Sequence, residues 1–297
     1  MSFQMKLNNA EELRKLLTRK NFIPIPACFD ALSAKLIEQE GFDVTFMSGF
    51  AASVSRIGEP DLGVMTFTEV LDQVSNICDA TTIPVIGDGD TGYGNAINIH
   101  RTVKSFAKVG CAGILIEDQL SPKRCGHTPG KEVVSREEAF DRIRAAVDAR
   151  EERDIVIMAR TDANHTHGIK EAIERAQKFS DLGAEILFVE APKTEDEMKL
   201  ICKEINGYNI VNIVEGGVTP NLSLKKLEDI GYKLAVYPLT TLSSSMKAII
   251  GSLRNLKSNN IEDEFLLDFM ELRDRVGFNS YYKKLEKYTS FSRKNND

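Results

Sequence analysis

The chain lacks several features that would place it in a common class at once. It has no tryptophan, only four histidines among 297 residues, and no apolar run close to the ~20 residues that cross a bilayer. Its first segment is polar and amphipathic and lacks the apolar centre of a signal peptide. The sequence therefore predicts a cytoplasmic protein with no membrane partner.

The chain has few cysteines, and its positive charges are outnumbered by negative ones. The five cysteines are scattered and odd in number, and none forms a CxxC pair, so reduced thiols are predicted instead of a disulfide framework. The formal net charge is −6, which argues against a nucleic-acid partner because phosphates demand a basic surface. Small organic acids are compatible with this charge, since a few local cations outweigh a mildly negative total.

Short β-branched runs alternate with longer amphipathic stretches through most of the chain. The runs are predicted to be these strands: Phe22–Ala27, Val44–Met47, Pro84–Gly87, Gly113–Ile116, Ile155–Ala159, Ile186–Val189, Ile210–Val214 and Leu234–Tyr237. Segments of helical period lie between them, as in Ala31–Glu40, Arg136–Arg150 and Ile169–Leu182. Eight strand–helix units in roughly 250 residues favour a closed (β/α)₈ barrel of the TIM type over an open doubly wound sheet.

The domain organisation follows from the same pattern. We expect a single barrel domain over residues 1–297, with an N-terminal helix in 1–20, the barrel in 21–256 and a helical extension in 257–297. A helix at Ala10–Arg19 is expected to close the bottom of the barrel. The apolar-periodic segment Asp263–Lys287 exceeds what a barrel needs, so it is predicted to be a packing arm or an oligomer interface.

Polar residues follow the predicted strands at their carboxyl ends, where such barrels carry their chemistry. In chain order these ends are Ser48-Gly49, Asp88 and Asp90, Glu117-Asp118, Arg160 to Asp162, Glu190, Asn212 and Glu215. Asp61 lies on the loop after the second strand. Carboxylates crowded on one rim repel one another unless a cation neutralises them, and hard oxygen ligands favour Mg²⁺ or Mn²⁺. The alternative is that some of them cap helices or pair with Lys and Arg.

The loop after the fourth strand, SPKRCGHTPGK at 121–131, is polar and cationic. The thiol of Cys125 stands beside Lys123, Arg124 and His127, so a lowered pKa and proton exchange near neutrality are expected. Two glycines and two prolines suit a hinged lid that orders when a ligand binds. An exposed basic loop with an incidental cysteine is the alternative interpretation.

Arg160 ends the predicted fifth strand. A guanidinium in this position is suited to bidentate binding of a substrate carboxylate. A structural salt bridge to Glu190 is the competing role, and both can hold at once.

These segments together resemble the phosphoenolpyruvate mutase/isocitrate lyase superfamily. The resemblance covers nearly the whole chain and rests on DGDTGYGN at 88–95, EDQLSPKRCGH at 117–127, MARTDA at 158–163 and NIVEGGVTP at 212–220. The KRCGH run resembles the signature of the lyase branch, whereas phosphonate-forming members have Asn-Ser in place of Cys-Gly-His. The Glu-Gly-Gly at 215–217 is more similar to alkylmalate lyases, oxaloacetate hydrolases and carboxyphosphonoenolpyruvate mutases than to isocitrate lyases.

The resemblance implies a role for each site residue. The metal site would consist of Asp88 as the direct Mg²⁺ ligand, with Asp61, Asp90 and Glu117 acting through bound waters. The catalytic residues would be Cys125, which protonates the departing carbanion, with His127, Lys123 and Arg160. The 2-oxo acid part would be held by Ser48, Gly49 and Arg160. The rest of the substrate pocket would be shaped by His127, Glu190, Asn212, Glu215 and Thr219.

The implied function is Mg²⁺-dependent cleavage of a carbon–carbon bond in a 2-hydroxy dicarboxylate or tricarboxylate. A 2-alkylmalate such as 2,3-dimethylmalate, or 2-methylisocitrate, would give a 2-oxo acid such as pyruvate and a carboxylic acid. A homotetramer that exchanges the last barrel helix is also implied. The alternatives are hydrolysis of oxaloacetate to oxalate and acetate, a carboxyphosphonoenolpyruvate phosphonomutase, and a catalytically silent barrel that acts as a binding protein.

Overall fold

The eight strands form one parallel sheet. The computed structural model describes residues 9–126, 130–260 and 264–293, and its strands are β1 (Ile23–Cys28), β2 (Thr45–Met47), β3 (Val85–Asp88), β4 (Gly113–Glu117), β5 (Val156–Thr161), β6 (Ile186–Val189), β7 (Tyr208–Asn212) and β8 (Leu234–Tyr237). Each strand pairs with the next and β8 pairs with β1, so the sheet closes into a barrel. The predicted (β/α)₈ barrel is confirmed, and every strand lies within two residues of its predicted bounds.

The helices alternate with the strands as the periodicity predicts. The described residues contain α1 (Asn9–Thr18), α2 (Ala31–Gln39), α3 (Gly49–Ile57), α4 (Phe67–Ala80), α5 (Ala96–Lys108), α6 (Arg136–Glu152), α7 (Ala163–Thr166), α8 (Ile169–Asp181), α9 (Glu195–Glu204), α10 (Leu224–Ile230), α11 (Thr240–Lys257), α12 (Phe269–Val276) and α13 (Phe278–Arg293). None of these helices is long and apolar enough to cross a membrane.

The strands are apolar on both faces because both faces are buried. On β4, Leu115 points into the barrel and packs with residues of the other strands, such as Ile25 and Ile210. Its neighbours Ile114 and Ile116 belong to the layer between the strands and the surrounding helices. A strand buried on both faces is expected to be continuously apolar, which explains why the predicted runs do not alternate with polar residues.

The first helix closes the bottom of the barrel, as predicted. Leu13, Leu16 and Leu17 of α1 are buried and belong to the same cluster as the barrel interior. Leu13 packs against β4 at Gly113, where an added Cβ would lie 3.2 Å from the leucine Cδ2. Truncating a leucine in such a site typically costs about 2–5 kcal/mol of stability.

The chain divides into two compact units, Met1–Leu242 and Ser243–Asp297. The barrel and all its strands lie in the first unit. The second unit contains most of α11 together with α12 and α13. The expectation of a single domain, with a barrel to residue 256 and an extension beyond it, stays a prediction.

Candidate active site

A cleft opens at the carboxyl ends of the strands, and seven of the fourteen predicted site residues line it. It is lined by Phe46, Ser48, Phe50, Asp61, Asp88, Leu115, Lys123, Arg124, Cys125, Gly126, Arg160, Phe188, Asn212, Val214, Val236, Pro238 and Leu239. Parallel strands in a closed barrel end on one rim, so residues far apart in sequence meet there.

Asp88 is fixed by the backbone around it. The Gly49 N–H donates to Asp88 Oδ2 over 3.1 Å, and the Asp90 N–H donates to Oδ1 over 3.1 Å. Residue 49 must be glycine for this approach, since an added Cβ would lie 2.6 Å from Asp88 Oδ2. Ser48 caps α3, and its hydroxyl accepts from the Ala51 N–H. The first turn of α3 and the end of β3 therefore meet through the Asp88 carboxylate.

Lys123 reaches from the loop after β4 into the group of carboxylates. Its ammonium lies 2.6 Å from Asp61 Oδ1 and 2.8 Å from Asp90 Oδ1, and its side chain is only 6% exposed. Burial alone would lower the pKa of Lys123, but Asp90 and Asp61 raise it well above its ordinary value. The lysine is therefore a permanent cation in this site. Tyr93 also donates a hydrogen bond to Asp90 Oδ2, over 3.1 Å.

Lys123 does not compensate all of the negative charge that the carboxylates place on this rim. Burial, with the nearby Asp90 charge, raises the pKa of Asp88 to about 6. Burial also raises the pKa of Glu117 well above its ordinary value. Glu117 Oε1 is buried and has no hydrogen-bond partner among the residues that the structure describes. Raised carboxylate pKa values and an oxygen left without a donor are the conditions in which a bound cation is favourable.

The geometry limits how a metal ion would be held. In residues 9–126, 130–260 and 264–293, no group of three or more His, Cys, Asp or Glu side chains is arranged to ligate an ion directly. Mg²⁺ commonly keeps several waters and takes only one or two carboxylates from the protein. The donor set present, which consists of carboxylate oxygens on one rim, fits such an ion.

Arg160 is held by three carboxylates. Its Nε and Nη2 form a bidentate pair with Asp162, over 2.9 and 3.0 Å. Its guanidinium also lies 3.4 Å from oxygens of Glu117 and Glu190, and it stacks 5.3 Å from the ring centroid of Phe188. The predicted contact with Glu190 is present, but Asp162 forms the closer pair. A guanidinium fixed on several sides presents its remaining edge to the cleft in one orientation.

Two predicted pocket residues support one another at the far side of the rim. Asn212 ends β7, and its side-chain amide donates to Glu190 Oε1 and Oε2 over 3.3 and 3.4 Å. Both side chains are buried. Glu190 is thus shared between Arg160 and Asn212, which joins β5, β6 and β7 at the cleft.

Four predicted residues, Gly49, Asp90, Glu117 and Glu190, contact residues of the cleft lining without lining it themselves. Neither group includes the remaining three, Glu215, Thr219 and His127. Glu215 is exposed and accepts a hydrogen bond from Thr240. It does not directly follow a strand, since β7 ends at Asn212, two residues before its predicted end. Thr219 is buried, and its hydroxyl has no partner in the described part of the chain. His127 lies outside the described residues. The assigned roles of these three stay predictions.

The cleft also has an apolar part of its wall. Phe46, Phe50, Phe188, Pro238 and Leu239 line it together with the charged residues, and Phe188 stacks against the Arg160 guanidinium. Alternation of apolar residues does not reveal such a wall, since strand residues that face the cleft and those that face the core are equally apolar. Asp162 was among the polar residues predicted at the strand ends, but its place in the sequence does not show that it is fully buried and paired with Arg160.

Comparison with known proteins places this site in a family. The sequence profile of the phosphoenolpyruvate phosphomutase family matches residues 13–257. The chain belongs to this family. A 2,3-dimethylmalate lyase of Eubacterium barkeri is 43% identical over 274 residues, which are 91% of this chain and 95% of that protein. The predicted membership of the phosphoenolpyruvate mutase/isocitrate lyase superfamily is confirmed, and the chain is an enzyme of its carbon–carbon lyase class.

Solved structures of family members share the fold over almost their whole length. An oxaloacetate acetylhydrolase in complex with the inhibitor 3,3-difluorooxalacetate has a TM-score of 0.91 and 31% identity, covering 95% of this chain and 97% of that one. A phosphonopyruvate hydrolase in complex with oxalate and Mg²⁺ has a TM-score of 0.84 and 28% identity, covering 95% of this chain and 100% of that one. The family therefore contains proteins that bind small dicarboxylates and a divalent metal ion.

Proposed function

We propose that the protein is a Mg²⁺-dependent lyase that cleaves the C2–C3 bond of a 2-alkylmalate such as 2,3-dimethylmalate. The products are pyruvate and a carboxylic acid. The observation that carries this proposal is the composition of the cleft. Carboxylates, Lys123, Arg160 and the Cys125 thiol line it together with the apolar side chains of Phe46, Phe50, Phe188, Pro238 and Leu239.

The metal ion would be held on the carboxylate side. Asp88 would be the direct ligand, and Asp61, Asp90 and Glu117 would act through water; Mn²⁺ would fit the same oxygen donors. When bound, the ion lowers the pKa of the substrate's 2-hydroxyl group and stabilises the charge of the 2-oxo acid. The under-neutralised state of Asp88 and Glu117 supports this assignment.

The chain's own residues orient the substrate. Arg160 and the N-terminus of α3, at Ser48 and Gly49, bind the carboxylate next to C2. Lys123 keeps Asp61 and Asp90 together on the rim. Lys123, Arg124, Cys125 and Gly126 line the cleft and exclude water from the reacting carbon, which protects the carbanion from unwanted protonation.

Cys125 supplies the proton that completes the reaction. The 2-hydroxyl group first loses its proton to solvent. As the C2–C3 bond breaks, this oxygen forms the carbonyl bond to C2, the electron pair of the broken bond stays on C3, and the Cys125 Sγ–H donates its proton to C3. The second carboxylate of the substrate lies beside C3 and spreads the developing negative charge. Two new molecules result, and the thiol regains its proton from solvent before the next turnover.

The apolar wall favours a substrate with alkyl groups. Phe50, Phe188 and Leu239 give contacts for methyl groups on C2 and C3. A third carboxylate, as in 2-methylisocitrate, needs a further partner. Lys123 is already paired with protein carboxylates and Arg160 is assigned to the carboxylate next to C2, so this partner would have to be Arg124 or the Asn212 amide of the cleft lining. One methylene changes binding in such a pocket by only about 1–3 kcal/mol, so neighbouring alkylmalates are expected to react as well.

Hydrolysis of oxaloacetate to oxalate and acetate is the second candidate function. The fold of an oxaloacetate acetylhydrolase, with its TM-score of 0.91, favours it. The two activities are separated by comparing kcat/KM for 2,3-dimethylmalate, 2-methylisocitrate and oxaloacetate in one assay. The proposal requires the highest value for 2,3-dimethylmalate, and a higher value for oxaloacetate would reverse the order of the two candidates.

We also propose that the protein is a cytoplasmic homotetramer. None of its five cysteines, all of which the structure describes, forms a disulfide, and this supports a reducing compartment. The second unit exposes many large apolar side chains: Met246, Ile249, Ile250, Leu253, Leu256, Phe265, Leu266, Leu267, Phe269, Met270, Leu272, Val276, Phe278, Tyr281, Tyr282, Leu285 and Tyr288. An apolar surface of this extent is typical of an interface between subunits.

Light scattering at micromolar concentration is expected to give four times the 33.1 kDa mass of one chain. The Leu266→Asp substitution, at a side chain that is 68% exposed, is expected to lower that mass because it places a charge in the interface. Leu224→Asp, at an exposed leucine of the barrel unit, serves as the matched control and leaves the mass unchanged. A monomeric mass for the unmodified protein would refute the tetramer.

A further inference from the structure

Lys131 is a second buried lysine in the loop after β4. It is 4% exposed, and its ammonium donates a hydrogen bond to the Gly126 carbonyl and lies 3.4 Å from Asp162 Oδ1. Removing an ammonium from water costs several kcal/mol unless its new partners compensate. Neither the metal site nor the carboxylate-binding residues account for a charge in this position.

Asp162, the partner of Lys131, is held in one place. Its two oxygens accept the bidentate pair from Arg160, and its backbone N–H donates to Asp118 Oδ1 over 2.9 Å. The other oxygen of Asp118 accepts from Thr161 and from Arg175 of α8, over 2.7 and 2.9 Å. All of these groups except Arg160 are fully or almost fully buried. Lys131 therefore binds to a rigid anchor at the end of β5.

The other partner of Lys131 is the residue after the reactive thiol. Gly126 is buried against the rim, where an added Cβ would lie 2.6 Å from Arg160 Nη2 and 2.7 Å from the Glu190 carboxyl carbon. The peptide that carries its carbonyl is thus confined between the rim and the Lys131 ammonium. Cys125 immediately precedes it and lines the cleft.

We propose that Lys131 is a positioning residue for Cys125. Its ammonium is anchored on Asp162 and holds the Gly126 carbonyl, and this keeps the thiol in the cleft beside Arg160. This inference rests on the proposed function in one respect, which is the assignment of the proton transfer to Cys125. A displacement of about 1 Å in a reacting group commonly costs about 100-fold in rate, so a small release of Gly126 has a large effect.

Substitution of Lys131 separates this role from a purely structural one. Lys131→Met removes the charge and keeps the length, while Asp162 retains Arg160 as its partner. We expect kcat for 2,3-dimethylmalate to fall about 10- to 100-fold and KM to change less than about threefold. Lys131→Arg, which retains a cation, is expected to recover much of the loss. Lys203→Met, at an exposed lysine of α9, is the control for the methionine substitution.

The second readout needs no substrate. The rate at which iodoacetamide alkylates Cys125 in the metal-free enzyme is followed by mass spectrometry of its peptide, which separates it from the half-buried Cys202. Release of the Gly126 carbonyl exposes the thiol, so the rate is expected to rise at least about fivefold in Lys131→Met and to stay near wild type in Lys131→Arg. Thermal melting identifies a misfolded variant, and Lys131→Gln then replaces Lys131→Met.

The outcomes separate the two proposals. An unchanged alkylation rate in folded Lys131→Met would overturn the positioning role, even if kcat falls. A wild type that cleaves none of the acids would overturn the proposed function, and the alkylation ratio would still decide the role of Lys131. A lower melting temperature with wild-type alkylation and kcat would show that Lys131 serves stability alone.

Discussion

An enzyme with Asp88→Ala is expected to lose at least about three orders of magnitude in kcat, because removal of a metal ion's charge costs several kcal/mol of transition-state stabilisation. Steady-state turnover with added Mg²⁺ measures the loss, and titration calorimetry measures the accompanying loss of metal binding. The barrel should stay folded, because Asp88 stands among like charges and its carboxylate contributes little to core packing.

Two further experiments make the Asp88 prediction decisive. Asp88→Asn keeps the shape and one of the two backbone hydrogen bonds that Asp88 accepts from Gly49 and Asp90, but it removes the charge, so it is expected to match the alanine variant in turnover. Asp141→Ala removes an exposed carboxylate of α6 and is the matched control, with wild-type activity. Wild-type enzyme treated with EDTA should regain activity with Mg²⁺ or Mn²⁺, and full activity in metal-free buffer would exclude the metal site.

Replacement of Cys125 by serine is expected to lower kcat about 10²- to 10⁴-fold and to leave the affinity for oxalate unchanged. A serine hydroxyl is far too weak an acid to replace the thiol in proton transfer, but it fills nearly the same space. Turnover of 2,3-dimethylmalate and binding of oxalate are measured on the same preparation. Wild-type turnover in the variant would remove Cys125 from the mechanism.

A matched control accompanies the Cys125 substitution. Cys202→Ser changes a half-buried thiol on α9 that does not line the cleft. It is expected to leave kcat unchanged. The other three cysteines, Cys28, Cys78 and Cys111, are fully or almost fully buried and are less suitable, because a serine there would place a hydroxyl group in the core.

The barrel and the position of its rim could be predicted from sequence because both depend on local periodicity. Each apolar run is short, is buried on both faces and is followed by an amphipathic helix, and this combination permits few architectures. The polar residue after each run then marks the rim without any knowledge of distances. Ser48, Asp88, Arg160 and Asn212 were found in this way, and all four line the cleft.

The contacts behind the rim could not be predicted because they join residues that are far apart in sequence. Arg175 and Asp118 are 57 positions apart, and nothing in the local sequence indicates that they pair. Lys131 is one of several cations in its loop, and only the structure distinguishes it from the exposed Arg124. The bounds of β7 were also predicted imprecisely, since this strand ends at Asn212, two residues before its predicted end, and Glu215 is exposed.

The most direct test of the proposed function is the fate of 2,3-dimethylmalate in D₂O with Mg²⁺, followed by NMR. Cleavage of the C2–C3 bond with protonation by the exchanged Cys125 thiol predicts pyruvate and propionate in equal amounts, with one deuterium at C2 of the propionate. Failure to release propionate, together with rapid conversion of oxaloacetate to oxalate and acetate by the same preparation, would contradict it.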